Sequence, residues 1–232
     1  MDIADIIAKI TKAAGRKSLY HFTRARNLEA IAHFDALWSS CCITADVSGE
    51  RRLTLQEATY EGYTLTVNSH LRIPQAMMKT GWTVERFRAS LDNHVFFWPT
   101  RRDCLAMLGT YKRREPDERF AVLEFDAAAV LAANRETARL SKYDSGSAPR
   151  FPLRTGYRKS PDMFLPLAEF GRLLNNEVPA KASEIKEVLI EDRVNRLTRF
   201  LRAIYVQDKQ EAPERWSGFA AAIESLYRPL EP

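Results

Sequence analysis

Leu19-Tyr20-His21-Phe22-Thr23 decides the reading of this chain. Aromatic and aliphatic residues run together here behind Lys17-Ser18, and such a run predicts a short strand over 18–22 with a histidine in it. Thr23 is placed to cap a following helix, because its hydroxyl can accept a free N–H of the first turn. Leu28, Ile31 and Ala32 give that helix an apolar face as far as Phe34. Upstream, Ile3, Ile6, Ile7 and Ile10 repeat at helical spacing, and Gly15 lies where a helix stops.

Downstream the same rules place a strand over Tyr63–Val67 and a helix opened by Thr83 with Val84, Phe87 and Leu91 on one face. A buried strand from His94 to Trp98 is closed by Pro99. Leu105, Leu108 and Tyr111 predict a helix, Phe120–Phe125 a strand, and Ala127–Ala133 a helix. Ile185–Ile190 and Leu201–Val206 read as late strands, and Trp216, Phe219, Ile223 and Leu226 as a C-terminal helix over 213–228. Helices and strands mix without regular βαβ alternation, so the fold class is α+β: one domain over 1–232, opened by an N-terminal helix over 1–15.

Composition narrows the function classes. In 232 residues, 35 Lys and Arg stand against 30 Asp and Glu, a net charge of +5 that permits contact with nucleic acid without demanding it. Cys41, Cys42 and Cys104 are odd in number and two are adjacent, a usage that suits a reducing compartment. Acids and lysines interrupt the apolar pattern of the N-terminus, so it does not read as a signal peptide. The longest apolar run, Ala127–Ala133, is far below the ~20 residues that span a bilayer. These features predict a soluble cytoplasmic protein with no membrane partner. His21, His33, His70 and His94 lack ligand spacing and Cys41-Cys42 is too close for a standard ligand pair, so no metal is expected. Gly-rich phosphate loops and the Gly-x-Ser-x-Gly elbow are missing as well.

Three segments point further when taken together: Tyr20-His21-Phe22-Thr23 with Asn27-Leu28 behind it, Val95-Phe96-Phe97-Trp98-Pro99, and Glu187-Val188-Leu189-Ile190. In order and type they resemble the DarT-like branch of the ADP-ribosyltransferases, enzymes that move ADP-ribose from NAD to a nucleic-acid base. The resemblance covers residues 18 to about 206. The Val-Phe-Phe-Trp-Pro strand, with Leu140-Ser141 and Ser145-Gly146, resembles more closely still a bacterial family to which no activity is assigned. The resemblance implies an ADP-ribosyltransferase-like fold, two small sheets packed around a cleft. It implies NAD as substrate, no metal, a role of toxin or phage-defence type, and an antitoxin protein as a possible partner. RNA 2′-phosphotransferases, and inactive relatives that bind a nucleotide or a partner, are the rival readings.

For the site, the resemblance implies Glu187 as the catalytic carboxylate. By the residues alone, Glu187 shares a strand face with Ile185 and Leu189, and the plain alternative is an edge glutamate paired with a neighbouring arginine; Glu184 is the fallback. The resemblance also implies a second catalytic residue, Arg51, although Glu50-Arg51-Arg52 leaves the choice between the two arginines open. Tyr20, His21, Thr23, Asn27, Phe97 and Trp98 are its implied NAD contacts. Strand alternation puts Phe96 and Trp98 on one side and Phe97 on the other, so one side at most lines a pocket. The Ser/Gly/Pro-rich segment from Lys142 to Arg158 is long for a loop inside a compact domain. With Arg150, Arg154 and Arg158 it is a candidate grip for single-stranded DNA or RNA, with a solvated connector as the alternative.

Overall fold

The isoleucine stripe forms α1 (Ile3–Ile10), with the Asp2 carboxylate accepting the Ile3 N–H and Ile6, Ile7 and Ile10 buried. The structure, a computed structural model, describes residues 2–44, 48–149, 151, 154–173 and 175–227. β1 (Ser18–Arg24) runs past its expected end, because pairing continues to the last residue and buries Arg24 against Glu115 and Glu118. Thr23 is therefore a strand residue rather than a helix cap. One 3-10 turn, Ala25–Asn27, intervenes before α2 (Leu28–Phe34), which ends at Asp35 in the left-handed region. β2 (Ala36–Trp38) and the short α3 (Ser40–Ile43) follow.

β3 (Gln56–Tyr60) and β4 (Tyr63–Val67) form a hairpin that turns through Glu61 and Gly62, with φ of 46° and 87°. A two-residue turn with both centres left-handed matches the twist of antiparallel strands, and glycine accepts that conformation freely. Thr83 caps α4 (Val84–Asp92) by accepting the Arg86 N–H at 3.2 Å. Next come β5 (His94–Phe97), α5 (Arg101–Arg114), β6 (Phe120–Asp126), α6 (Ala127–Ala133) and β7 (Ala138–Ser141). Beyond the long loop are β8 (Leu165–Pro166), β9 (Glu187–Glu191), β10 (Arg193–Asn195), β11 (Leu201–Val206) and β12 (Ala220–Ala222).

Two four-stranded sheets carry the molecule, ordered β1-β6-β11-β12 and β5-β9-β7-β8. β6 explains why they pack. Ala121, Leu123 and Phe125 enter the main core, while Phe120 and Val122 pack in a second cluster with Leu108 of α5, so both faces of the strand are covered. A strand covered on both sides reads as a continuous apolar run rather than an alternation. Tyr20 and Trp98 exchange main-chain hydrogen bonds of 2.9 and 2.8 Å, which joins the first sheet to the second at the end of β5. A third cluster, including Phe87, Leu91, Met77 and Leu189, closes the outer side of the second sheet.

The C-terminal segment departs from expectation. It forms two 3-10 stretches, Glu214–Phe219 and Ile223–Tyr227, around β12, which lies parallel to β11. Trp216 enters the main core and Ile223 and Leu226 enter the cluster beneath α5, so the apolar residues serve two cores. One continuous helix has a single apolar stripe and cannot supply both. Arg193, Arg196, Arg199 and Arg202, equally spaced in sequence, are likewise dispersed over β10, a left-handed residue, a 3-10 turn and β11. Among the described residues no helix is long and apolar enough to cross a membrane.

Candidate active site

A cavity of about 220 Å³ lies where the two sheets meet. β1 contributes His21, Phe22 and Thr23, β5 contributes His94, Val95 and Phe96, and the inner residues of the β3–β4 hairpin cover them. Glu187 and Gly146 mark one part of the wall, and Arg52, Ser40, His70 and Asp92 another.

Glu187 is the first residue of β9, paired with Ser141 of β7. Strand alternation gives its face to Leu189, whereas Val188 and Ile190 enter the main core. Ile185, expected to share that face, precedes the strand and packs in the main core instead. The carboxylate is 1% exposed, and Oε2 accepts the Ser145 N–H at 3.0 Å and the Ser145 hydroxyl at 2.5 Å. Burial pushes its pKa above the usual carboxylate range and Asp144 adds to that, while the Ser145 hydrogen bonds and Lys159 work in the other direction. The result is a carboxyl group poised nearer neutrality than an exposed glutamate.

His21 is fixed from the other sheet. Its Nδ1 lies 2.8 Å from the Phe96 carbonyl oxygen, so Nδ1 carries the proton and Nε2 is left as an acceptor. Burial pushes its pKa down to about 4, against which the Phe96 carbonyl acts weakly, and the ring is neutral at physiological pH. Asn27 lines the cavity but spends its amide on structure: Nδ2 donates to Thr66 O at 3.0 Å and Oδ1 accepts the Thr66 N–H at 2.9 Å. These two bonds tether the hairpin over β1. Thr23, also in the wall, accepts a further 3.3 Å bond from the same amide.

The arginine side of the wall is a buried polar network. Arg52 donates to Asp92 at 2.6 Å and to Asn68 O at 3.0 Å, His70 Nε2 lies 3.0 Å from Asp92, and the Gly49 N–H reaches the other carboxylate oxygen. The Arg52 N–H donates to His70 Nδ1, which leaves the proton of that ring on Nε2, facing Asp92. Burial alone would raise the Asp92 pKa, but bonds from His70, Arg52 and Gly49 hold it well below the ordinary range.

Five buried side-chain polar atoms lack a hydrogen-bond partner among the described residues: Arg52 Nη1, Arg88 Nε, Trp98 Nε1, Thr66 Oγ1 and His94 Nε2. Every one belongs to a residue that lines this cavity. Buried polar groups without a partner are costly and rare, and these five gather in the residues around one cavity. Three of them, Arg52 Nη1, Arg88 Nε and Trp98 Nε1, are obligate donors.

The structure places the anticipated site residues unequally. Glu187, His21, Thr23, Asn27 and Trp98 line the cavity; Trp98 also stacks on Phe22, with ring centroids 4.9 Å apart. Phe97 is fully buried in the main core, edge-on to Phe125, and its neighbour Phe96 lines the cavity instead. Tyr20 turns away from the cavity: its hydroxyl is 3.4 Å from Glu124, and burial pushes its pKa up to about 12. Arg51 is exposed and outside the wall, whereas Arg52 is 5% exposed and within it. Arg154 and Arg158 are exposed residues of the long loop, away from the lining, and Arg150 lies outside the described residues. Sequence reasoning missed Ser145 as a ligand of Glu187 and the buried Lys159 behind it. The Ser145-Gly146 pair was a usable signal; Lys159 had none, since nothing local separates a buried lysine from an exposed one. Among the described residues no group of three or more His, Cys, Asp or Glu is placed to hold a metal ion.

A model of a family of unknown function, DUF7002, matches residues 17–201. No curated protein matches the chain. Among solved structures it is similar to DarT from Thermus sp. 2.9 in complex with ADP-ribosylated single-stranded DNA, with TM-score 0.44 and 13% identity over 92% of this chain and 97% of that one. The same protein in complex with NAD+ gives TM-score 0.40 and 13% identity over 94% and 93%.

Proposed function

The chain belongs to the DUF7002 family, and we propose that it is an NAD-dependent mono-ADP-ribosyltransferase that modifies a nucleic-acid base. The observation that carries this reading is that a buried carboxylate, Glu187, lines the same cavity as His21, Phe96 and the buried arginines Arg52 and Arg88. The three motifs that resemble DarT-like enzymes supply two of its walls, the His21 strand and the aromatic strand, and its carboxylate. The proposal includes the corresponding split-sheet fold, with residues 1–232 forming one domain.

In the proposed reaction the bond between C1′ of the ribose and the nicotinamide nitrogen breaks, nicotinamide leaves neutral, and C1′ bonds to a nitrogen of the acceptor base. The ribose passes through an oxocarbenium-like state. A carboxylate fixed beside it stabilises charge that develops only there. With its pKa raised toward neutrality, Glu187 is also suited to take the proton that the base nitrogen releases. Nε2 of the neutral His21 accepts from a ribose hydroxyl, and the Phe96 and Trp98 rings offer faces to nicotinamide. Arg52 and Arg88, both in the cavity lining, are the arginines for phosphate oxygens. Arg52 takes the role that sequence left open between it and Arg51.

Single-stranded DNA or RNA is the proposed acceptor, held by the loop that carries Arg154 and Arg158. A reaction that alkylates bases suits a cytoplasmic toxin or phage-defence factor, and an antitoxin protein is its natural counterpart. The test is incubation with NAD labelled in the ADP-ribose half and separate pools of DNA, RNA and protein. Label covalently retained by a nucleic-acid pool, with nicotinamide released, is expected. Label in the protein pool alone moves the acceptor. Phosphate removed from a 2′-phosphorylated RNA with no label retained assigns the phosphotransferase reaction instead, and intact NAD in every pool overturns the proposal.

A further inference from the structure

Lys159 has no place in the proposed chemistry, yet it is 0% exposed, an arrangement lysine seldom adopts without a specific partner set. Its main chain is fixed from outside the long loop: the Lys159 N–H donates to Met77 O at 2.7 Å, and its carbonyl accepts the Lys79 N–H at 3.0 Å. From that anchor the ammonium reaches back across the loop. Nζ donates to the carbonyls of Asp144 at 2.7 Å and Ser145 at 2.9 Å, and lies 5.9 and 5.8 Å from the ring centroids of Phe87 and Tyr157.

The Ser145 peptide is thus gripped from both sides. Lys159 holds its carbonyl, while its N–H and its hydroxyl hold the Glu187 carboxylate, and Ser145 itself is 0% exposed. We propose that Lys159 is a positioning residue for Glu187, fixing through the Ser145 peptide the orientation of the carboxylate and supplying the buried positive charge that favours its ionised form. The proposal rests on the role assigned to Glu187 above, and Lys159 itself touches neither NAD nor the reacting atoms.

The charges around the carboxylate are few. Asp144 raises the proton affinity of Glu187 and Lys159 lowers it; the Tyr157 hydroxyl feels Glu187 in turn, and Asp144 is itself under the influence of Lys186 and Asp103. Burial pushes the Lys159 pKa down, and Glu187 and Asp144 work to keep its proton in place. Removing the lysine charge takes away one of the influences that oppose burial and Asp144, so Glu187 holds its proton to higher pH.

The direct experiment is a carbon NMR titration of protein labelled at the glutamate side-chain carboxyl, with the Glu187 signal assigned by its loss in Glu187→Gln. It needs no NAD. In Lys159→Met the Glu187 midpoint is expected to rise by about one pH unit, a tenfold change in proton affinity. Lys159→Gln, which retains a donor and guards against a misfolded methionine variant, should raise it too, while Lys159→Arg should leave it near wild type. In turnover, Lys159→Met is expected to lower kcat at pH 7 by about tenfold with KM for NAD little changed, and its acid limb should follow the NMR midpoint upward. An unmoved Glu187 titration in folded methionine and glutamine variants overturns the proposal. A wild-type protein that turns over no NAD defeats the transfer reading, and the titration still decides the role of Lys159.

Discussion

Arg52 Nη2 lies 2.6 Å from Asp92 Oδ1, and the two side chains are 5% and 3% exposed. Removing one partner of such a pair strands the other charge in the interior, which costs about 3–5 kcal/mol. Arg52→Gln is therefore expected to lower the melting temperature by about 10 °C, by the usual conversion for a domain of this size, and to weaken NAD binding at least about tenfold. Arg51→Ala, at an exposed position, should change stability by no more than about 0.5 kcal/mol and leave binding intact. Calorimetric titration with NAD and thermal melts of the two variants check this; equal losses of binding would remove Arg52 from its assigned role.

Glu187→Gln separates function from folding. Turnover of NAD should fall by about two orders of magnitude or more, the loss typical of deleting a preorganised electrostatic contact. Stability should respond in the opposite sense. A carboxyl group whose folded pKa is raised binds more protons in the native state, so its contribution is fully present below the unfolded value near 4.5 and declines as pH rises through the folded value. Urea melts should then show the stability of Glu187→Gln relative to wild type improving from pH 4.5 toward neutrality. A variant less stable at pH 8 than at pH 5, relative to wild type, contradicts the assigned direction.

Local patterning carried the elements of the site but not its assembly. Tyr20-His21-Phe22-Thr23, His94–Trp98 and Glu187–Ile190 were legible because each is a short, dense apolar or aromatic run of the kind a covered strand presents. Alternation along β5 also foretold that Phe96 and Phe97 part company, although not which would meet the cavity; that depends on the side Leu189 and the third cluster occupy. The network of Ser40, Arg52, His70 and Asp92 was illegible, since its members come from segments far apart in sequence and none shows a local pattern. The C-terminal segment misled for the opposite reason: Trp216, Phe219, Ile223 and Leu226 have helical spacing, but pairing of β12 with β11 outweighed it.

His21 supplies a pH test of its own. Its folded pKa of about 4 lies below the ordinary value of 6.5, so the unfolded chain binds the extra proton across that window. Stability associated with the neutral ring is therefore present above about pH 6.5 and lost as pH falls toward 4, by on the order of 1–3 kcal/mol. Denaturant titrations at intervals between pH 7 and pH 4 should show this loss in wild type and a shallower one in His21→Gln. NAD affinity should hold through the upper part of the window, because Nε2 remains an acceptor there. A binding midpoint near pH 6.5 would mean that the ring is exposed and titrates as an ordinary histidine.

The long loop offers the test of the acceptor. Arg154 and Arg158 are exposed, Arg154 lies 5.3 Å from the centre of the Phe151 ring, and Phe151 is itself 56% exposed. An arginine beside an exposed aromatic ring pairs a phosphate ligand with a stacking platform, the combination that binds single strands without reading their sequence. Arg158 donates to the Thr155 and Tyr157 carbonyls, which leads its guanidinium back over the loop. Replacing Arg150, Arg154 and Arg158 by alanine should weaken binding of a single-stranded oligonucleotide. It should also flatten the dependence of log K on log salt, by about 0.7 for each phosphate that is no longer gripped. NAD binding should stay as in wild type, since neither Arg154 nor Arg158 lines the cavity. Phe151→Ala should lower affinity by about 1–3 kcal/mol, the range for one stacked base, and leave the salt slope unchanged, because stacking is not ionic. Fluorescence anisotropy at several salt concentrations separates the two effects. An unaltered slope in the triple variant would remove the loop from the acceptor site and turn the search toward the β3–β4 hairpin, whose Leu65, Thr66 and Val67 line the cavity.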